Sequence, residues 1–203
     1  MMENVQEAGA GPAWLLDRMR RRRVTRDFTG EPVAESAIRS LLVAGRWASS
    51  GGNLHIHKFV VVDDPRLVEL VKAMAPGILG NPACLIVICT DLEHCRQVGV
   101  RPNHIDARYI DAGTAAMNML LMAQELQLGA CPVTSFSRRG VATLLDLPGT
   151  LIPDMMVIIG HPRPAPRRLD RGTTTPVRVE DLTLVARFDG PPQRLAPGSR
   201  DRD

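Results

Sequence analysis

Two stretches carry the residue types needed to hold a flat, anionic ligand. The first is Arg20-Arg21-Arg22-Arg23-Val24-Thr25-Arg26-Asp27-Phe28. Guanidinium groups bind phosphate through paired, charge-assisted hydrogen bonds. The run falls at an expected helix end, before an extended turn in which side chains can converge. A solvated cationic face is the other reading, and the residues alone leave both open. The second stretch is Ala48-Ser49-Ser50-Gly51-Gly52-Asn53-Leu54-His55-Ile56-His57. Small residues let the backbone approach a flat ligand, and Ser50 and Asn53 offer hydrogen bonds to a polar ring edge. An ordinary helix-to-strand turn is the alternative. His55 and His57 alternate at strand spacing and so share a face. A metal needs further ligands, and none follows at motif spacing.

Three more segments bear on binding. In Pro132-Val133-Thr134-Ser135-Phe136 the proline lacks a donor, while the amides after it are free to meet a ligand's acceptors unless a partner takes them. A plain loop fits equally well. Gly160-His161-Pro162-Arg163-Pro164-Ala165-Pro166-Arg167-Arg168 reads as a rigid extended arm bearing cations. Asp111 to Leu120, running on to Leu128, has the apolar spacing of a core or dimer-interface helix. The GxSxG, Walker, HExxH and GxGxxG patterns are missing, so nothing supports those hydrolase, nucleotide, zinc or Rossmann sites. Cys89, His94, Cys95 and His104 fit no common zinc spacing, and no metal is expected.

The elements that must position these residues follow from periodicity. Helices are expected from Pro12, after Pro32 (with Ile38, Leu41, Leu42 and Gly45 on one face), over Pro65 to Met74, over Ile105 to Leu128 and over Arg138 to Leu145. The longest places Ile105, Tyr109, Ala112, Ala116, Met119, Leu120 and Ala123 on its apolar face, with Gly129 as its C-terminal stop. Phe59 to Asp63, Cys84 to Thr90 and Met155 to Ile159 read as buried strands, and Leu182 to Phe188 as one more. The first strand follows two helices, and the last follows a proline-rich arm. That order favours an α+β fold over a doubly wound sheet. Residues 1–11 read as a disordered N-terminus, 12–190 as a single domain and 191–203 as a flexible tail.

Bulk composition narrows the class. The chain has 203 residues, long enough for one real core, and 44% of them are apolar. Only 3% are aromatic, so aliphatic side chains must fill that core. A net charge of +3 gives no general reason to expect nucleic acid. No apolar run reaches membrane-spanning length, no secretory leader is visible, and the four cysteines form no CxxC pair. A reduced, cytoplasmic protein is the expectation.

Taken in order and spacing, these segments resemble the FMN-dependent nitroreductase family. Its Arg-Arg-Ser-x-Arg-x-Phe opening is similar to Arg22-Arg23-Val24-Thr25-Arg26-Asp27-Phe28. Its Ala-Pro-Ser-x-x-Asn loop is similar to Ala48 through Asn53, following Pro32-Val33. Its Asp-x-Gly helix is matched by Asp111, Gly113, Ala115 and Asn118, its Leu-Gly-x-x-x-Pro turn by Leu128, Gly129 and Pro132, and its Gly-Tyr-Pro end by Gly160-His161-Pro162. The likeness runs from about residue 20 to residue 170. Val24 stands where the family has serine, and His55-Ile56-His57 stand where it has Gln-Pro-Trp.

The resemblance implies a three-layer α+β fold, a mixed and mainly antiparallel sheet flanked by helices, built as an interlocked homodimer. It implies FMN, with Arg22, Arg23 and Val24 at the phosphate, joined by Arg168 from the arm. Ser49, Ser50, Gly51 and Asn53 would approach the flavin of the partner subunit. Pro132, Val133, Thr134 and Ser135 would border the isoalloxazine, while Arg26 would be structural. The implied activity is ping-pong hydride transfer from NAD(P)H to a small organic acceptor, such as a nitroaromatic or a quinone, with no membrane or nucleic-acid partner. A flavin-dependent oxidase or dehydrogenase of a biosynthetic pathway, a flavin-consuming enzyme and a non-catalytic flavin-binding protein are the other functions that this scaffold allows.

Overall fold

The run CLIVICT is apolar at nearly every position, a pattern that suits a strand covered on both faces. In the computed structural model, which describes residues 11–100, 107–164, 177–187 and 190–194, this run forms β2 (Cys84–Asp91), buried from Cys84 to Thr90. It sits inside a four-stranded sheet of order β1-β2-β4-β3, in which β1 is His57–Val62, β3 is Gly129–Val133 and β4 is Leu151–Gly160. All three pairings are antiparallel. β4 begins four residues earlier than its apolar run suggests. Its Pro153 lies where β2 and β4 slip register, between Ile88 and Cys89, and an irregularity of this kind tolerates a residue without an N–H.

Strand alternation divides the core in two. On one face Ile86, Ile88, Val157 and Ile159 pack with Leu41 of α2 (Glu35–Arg46) and with Ala112, Ala116 and Met119 of α5 (Ala107–Glu125). On the other, Leu85, Val87, Val133, Met156 and Ile158 pack with Val68 and Val71 of α3 (Pro65–Ala73) and Val141 of α6 (Arg138–Leu144). α1 (Pro12–Arg21) and α4 (Leu92–Gln97) complete this helix–sheet–helix arrangement, which is α+β. Gly45 brings α2 close to α5, since a Cβ there would lie 2.3 Å from the Met119 methyl.

Two expectations for the long helix change. Tyr109 is 40% exposed and stands off the apolar face, and Ile105 lies outside the described residues. The helix stop is Gln127, not Gly129. Gln127 takes φ +57°, its N–H donates to the Gln124 carbonyl at 3.0 Å, and the Leu128 N–H donates to the Ala123 carbonyl at 2.8 Å. This is the left-handed C-terminal motif that glycine usually provides. Gly129 instead starts β3, because a Cβ there would come within 2.6 Å of Thr25.

Contacts group the chain into two units, residues 1–164 and 165–203. In the second, α7 (Val179–Leu182) precedes a two-stranded antiparallel hairpin of β5 (Leu184–Arg187) and β6 (Gly190–Arg194). The strand expected over Leu182 to Phe188 therefore starts later, since Leu182 closes α7, and Phe188 lies outside the described residues.

Candidate functional site

The arginine run leaves α1 as an extended segment fastened along the edge of the sheet. The Thr25 N–H donates to the Ala130 carbonyl at 3.0 Å and the Thr29 N–H to the His161 carbonyl at 2.9 Å, while Phe28 bridges to Pro162 and is fully buried. Glycines make room for it. A Cβ on Gly160 would meet the Phe28 ring at 3.0 Å, and one on Gly80, which has φ +70°, would lie 2.3 Å from the Arg26 carbonyl oxygen. The cations are therefore carried on a backbone with little freedom to shift.

Those cations have different surroundings. Arg21 pairs with Asp17 at 2.8 Å, and Arg18 lies 3.5 Å from Glu125. Arg23 donates to the carbonyls of Arg20 and Arg22 and lines a concavity of about 300 Å³ with Arg18, Arg21, Thr25 and Gln124. Arg22 is half-buried, and its Nε and Nη1 are shielded from solvent with no hydrogen-bond partner among the described residues. Unmatched buried donors cost about 1–3 kcal/mol each, so this guanidinium can take an acceptor. Val24 is exposed and offers it none.

Arg26 faces another concavity, of about 280 Å³, together with Pro76, Gly77, Leu79 and the run from Cys131 to Ser135. Burial pushes the Cys131 thiol up, while the adjacent Arg26 guanidinium, also hydrogen-bonded to it, pulls it back down. Because the Ala130 carbonyl points outward to Thr25, alternation turns the backbone of Pro132 to the same outer edge. Its missing N–H thus costs no bond to β4. Thr134 and Ser135, just past the strand end, are exposed, and their N–H groups donate to nothing among the described residues. Gly77 holds the loop opposite, donating to the Ser135 carbonyl at 3.1 Å, and a Cβ there would lie 2.8 Å from Val133. Among the described residues, no carboxylate lines this concavity.

The Ser49–His57 segment builds a third concavity, of about 210 Å³, lined by Ser49, Ser50, His55, His57, Asp111 and others. Gly52, Asn53 and His55 all have positive φ, at 58°, 58° and 49°. Strained backbone of this kind persists only where its surroundings over-determine it. Here the Gly51 N–H donates to both oxygens of buried Asp111 at 3.1 Å, Thr114 donates to the Ser49 carbonyl at 3.0 Å, and the Ser50 hydroxyl accepts from the His55 N–H at 3.2 Å. His57 Nε2 lies 3.1 Å from the Arg108 carbonyl, so that nitrogen carries the proton. Burial lowers the His57 pKa, against the pull of Asp154 and Asp111. Beneath it, Asp154 in β4 is fully buried, accepts from the Thr90 hydroxyl and pairs with Arg108 at 3.3 Å.

The sequence-derived site residues thus fall into three places. Pro132, Val133, Thr134 and Ser135 share a concavity with Arg26, which the resemblance had cast as structural. Ser49 and Ser50 line a separate one, next to Gly51 and Asn53, and Arg23 lines a third. Arg168 lies outside the described residues. Asp111 was read only as part of a core helix. Its loop-holding role had one signal, a carboxylate in the middle of an apolar helical face. Among the described residues no group of His, Cys, Asp or Glu could hold a metal ion, and no helix is long and apolar enough to cross a membrane.

Comparison with known proteins gives one direction throughout. The profile of the Nitroreductase family matches residues 19–79 and 70–161. An NADPH-dependent oxidoreductase of Staphylococcus epidermidis is 23% identical over 73% of this chain and 65% of its own length. An FMN reductase (NADPH) of Bacillus subtilis is 24% identical over 69% of this chain and 62% of its own. The chain thus spans less than two thirds of the length of these two relatives. Among solved structures, a nitroreductase family protein of Clostridium difficile superposes with a TM-score of 0.68 at 21% identity, covering 86% of this chain and 98% of that one, and so shares the fold. With its helix–sheet–helix layers and a profile match across most of its length, the chain belongs to the nitroreductase family.

Proposed function

We propose that this protein is an FMN-dependent oxidoreductase that works as a cytoplasmic homodimer, taking electrons from NAD(P)H and passing them to a small organic acceptor. The observation that carries this reading is the pairing of two unmet needs on one edge of the sheet. Arg22 has buried donors without an acceptor, and Thr134 and Ser135 present unused amides beside Arg26 in a concavity without carboxylates. A phosphate suits the first and the polar edge of an anionic ring suits the second. The names of the Staphylococcus and Bacillus relatives point the same way.

Bound FMN would supply the chemistry, accepting hydride from the reductant and delivering it to the acceptor in a ping-pong cycle. The chain's own residues bind, orient and bias the charge. Arg22 would hold the phosphate, with Arg23 close by. Arg26 would place positive charge beside the ring, where reduction adds negative charge, and the amides of Thr134 and Ser135 would add donors there. The strained loop of Ser49, Ser50, Gly51 and Asn53 opens on a different concavity from Arg26 and Pro132. That separation favours a site completed by the loop of a second copy. The three concavities described above, at about 210–300 Å³, sit at or below the lower limit for a bound organic ligand of about 300 Å³. An apolar groove lined by Trp14, Leu15, Val43, Trp47, Leu121 and Met122 would be covered in that dimer.

The test is an absorbance spectrum of the purified protein followed by anaerobic addition of NADH and then NADPH. A flavin spectrum that bleaches with either donor is expected. Colourless protein that also fails to take up added FMN would overturn the reading.

A further inference from the structure

We propose that Arg138, held between the rings of Tyr109 and Phe136, is the docking point for the phosphate-bearing adenosine half of the reductant. This rests on the oxidoreductase reading above. The Arg138 guanidinium carbon lies 5.8 Å from each ring centroid. The Arg108 guanidinium covers Tyr109 as well, at 4.5 Å, and donates to its hydroxyl. Two rings and two cations therefore form one cluster contributed by α5, by α6 and by the strand-end loop.

The cluster has what a ligand needs and lacks what a structural network would have. Arg108 is spoken for, because Asp154 neutralises it in the interior. Arg138 is exposed and has no ion pair or hydrogen bond among the described residues, where its guanidinium meets only the two ring faces. Arg139 beside it also lacks a partner among those residues. The helix dipole does not account for these cations, since they open α6, where positive charge is disfavoured. Tyr109, in the first turn of α5, is 40% exposed. Two rings within cation–π reach limit the motion of the guanidinium and take none of its N–H donors, which stay free for a phosphate.

The position matches a substrate rather than the flavin. Arg138 lies three residues beyond Ser135 and four beyond Thr134, so at most about 14 Å of chain separates it from their unused amides. It stands outside the concavity that Arg26 shares with those residues. A dinucleotide whose nicotinamide reaches that concavity would extend its phosphates and adenine past the rim, where a cation on an aromatic platform offers charge and stacking together. The acceptor needs no such group, because small quinones and nitroaromatics carry no phosphate.

The experiment is stopped-flow reduction of the flavin-loaded dimer by NADH, NADPH and reduced nicotinamide mononucleotide, which lacks the adenosine half. It compares wild type with Arg138→Ala, Arg138→Lys and Tyr109→Leu. For Arg138→Ala the apparent Kd of both dinucleotides is expected to rise about tenfold, as loss of a charge-assisted contact implies. The limiting reduction rate and the Kd of the mononucleotide should stay unchanged. Lysine should restore only part of the affinity, being a point charge without the flat fork. Unchanged dinucleotide affinity in an Arg138→Ala protein that still holds and reduces its flavin would overturn the proposal while leaving the oxidoreductase reading intact. So would a shift confined to the acceptor half-reaction. Protein without flavin would count against the oxidoreductase reading, and the docking proposal would fall with it.

Discussion

The strand-end segment and the serine-rich loop are both small, polar and close to the sheet, yet they are held in opposite ways. Thr134 and Ser135 follow a regular strand, carry no strain and leave their amides unused. The Ser49–His57 loop bends through three positive φ values and is tied down at nearly every turn, by Asp111, Thr114, Ser50 and the Arg108 carbonyl. The first looks ready to bind through backbone groups. The second, on the proposal above, presents small side chains to a partner subunit. The two segments open on different concavities, and on the proposal above each is one half of a shared site.

The largest effect is expected where the loop half rests on the core. Asp154→Ala would leave Arg108 charged and buried without its partner, at a cost of about 3–5 kcal/mol. Chemical denaturation should show that loss, and proteolysis should cut the Ser49–His57 loop before the strand-end segment. Equal stability to wild type would mean that the pair is not a support.

A change in the other half should do the reverse. Arg22→Ala is expected to weaken FMN binding by about 1.5–3 kcal/mol, the worth of a hydrogen bond to a charged group, with little effect on the melting temperature. Arg23→Ala should do less, since Arg23 already donates to two carbonyls and lines a different concavity. Titration of apoprotein with FMN checks both, and equal losses would mean that the two arginines share one ligand.

The smallest effect is a pH dependence confined to the loop half. Burial lowers the His57 pKa, so below about pH 6.5 the unfolded chain takes up the proton first. Stability should therefore fall as pH drops from about 6.5 towards the lowered value, and be regained as pH rises. In His57→Gln this slope should shrink. An unchanged slope would assign it to other groups.

Much of this comparison is visible in the amino-acid order, but unevenly. The CLIVICT run and the burial of Ala112, Ala116 and Met119 follow from local pattern, because strand and helix periodicities are local properties, while the Arg22-to-Phe28 signature is legible through its resemblance to a family motif. What escaped depends on distant partners. Gly129 reads as a helix stop until Thr25 is seen against it, while Gln127 makes the turn. Tyr109 reads as core until its ring is found exposed between two arginines. Arg26, cast as structural by the resemblance, has Cys131 and Pro132 brought beside it by the strand after Gly129, a neighbourhood that spacing alone does not give. Asp111 acts on a residue sixty positions away, which no spacing rule encodes.

The claim that two half-sites from different chains make one active site has a direct test in subunit mixing. Arg22→Ala disables the strand-end half, and Ser49→Trp blocks the loop half with bulk at an exposed position. Each parent should be a folded dimer with little NAD(P)H-dependent turnover. Mixed dimers formed from equal amounts should recover about a quarter of wild-type activity, because half the dimers are hybrids and each hybrid keeps one intact site of two. Hybrids, verified by two affinity tags, that show no activity above their parents would place both halves in one chain and contradict the account.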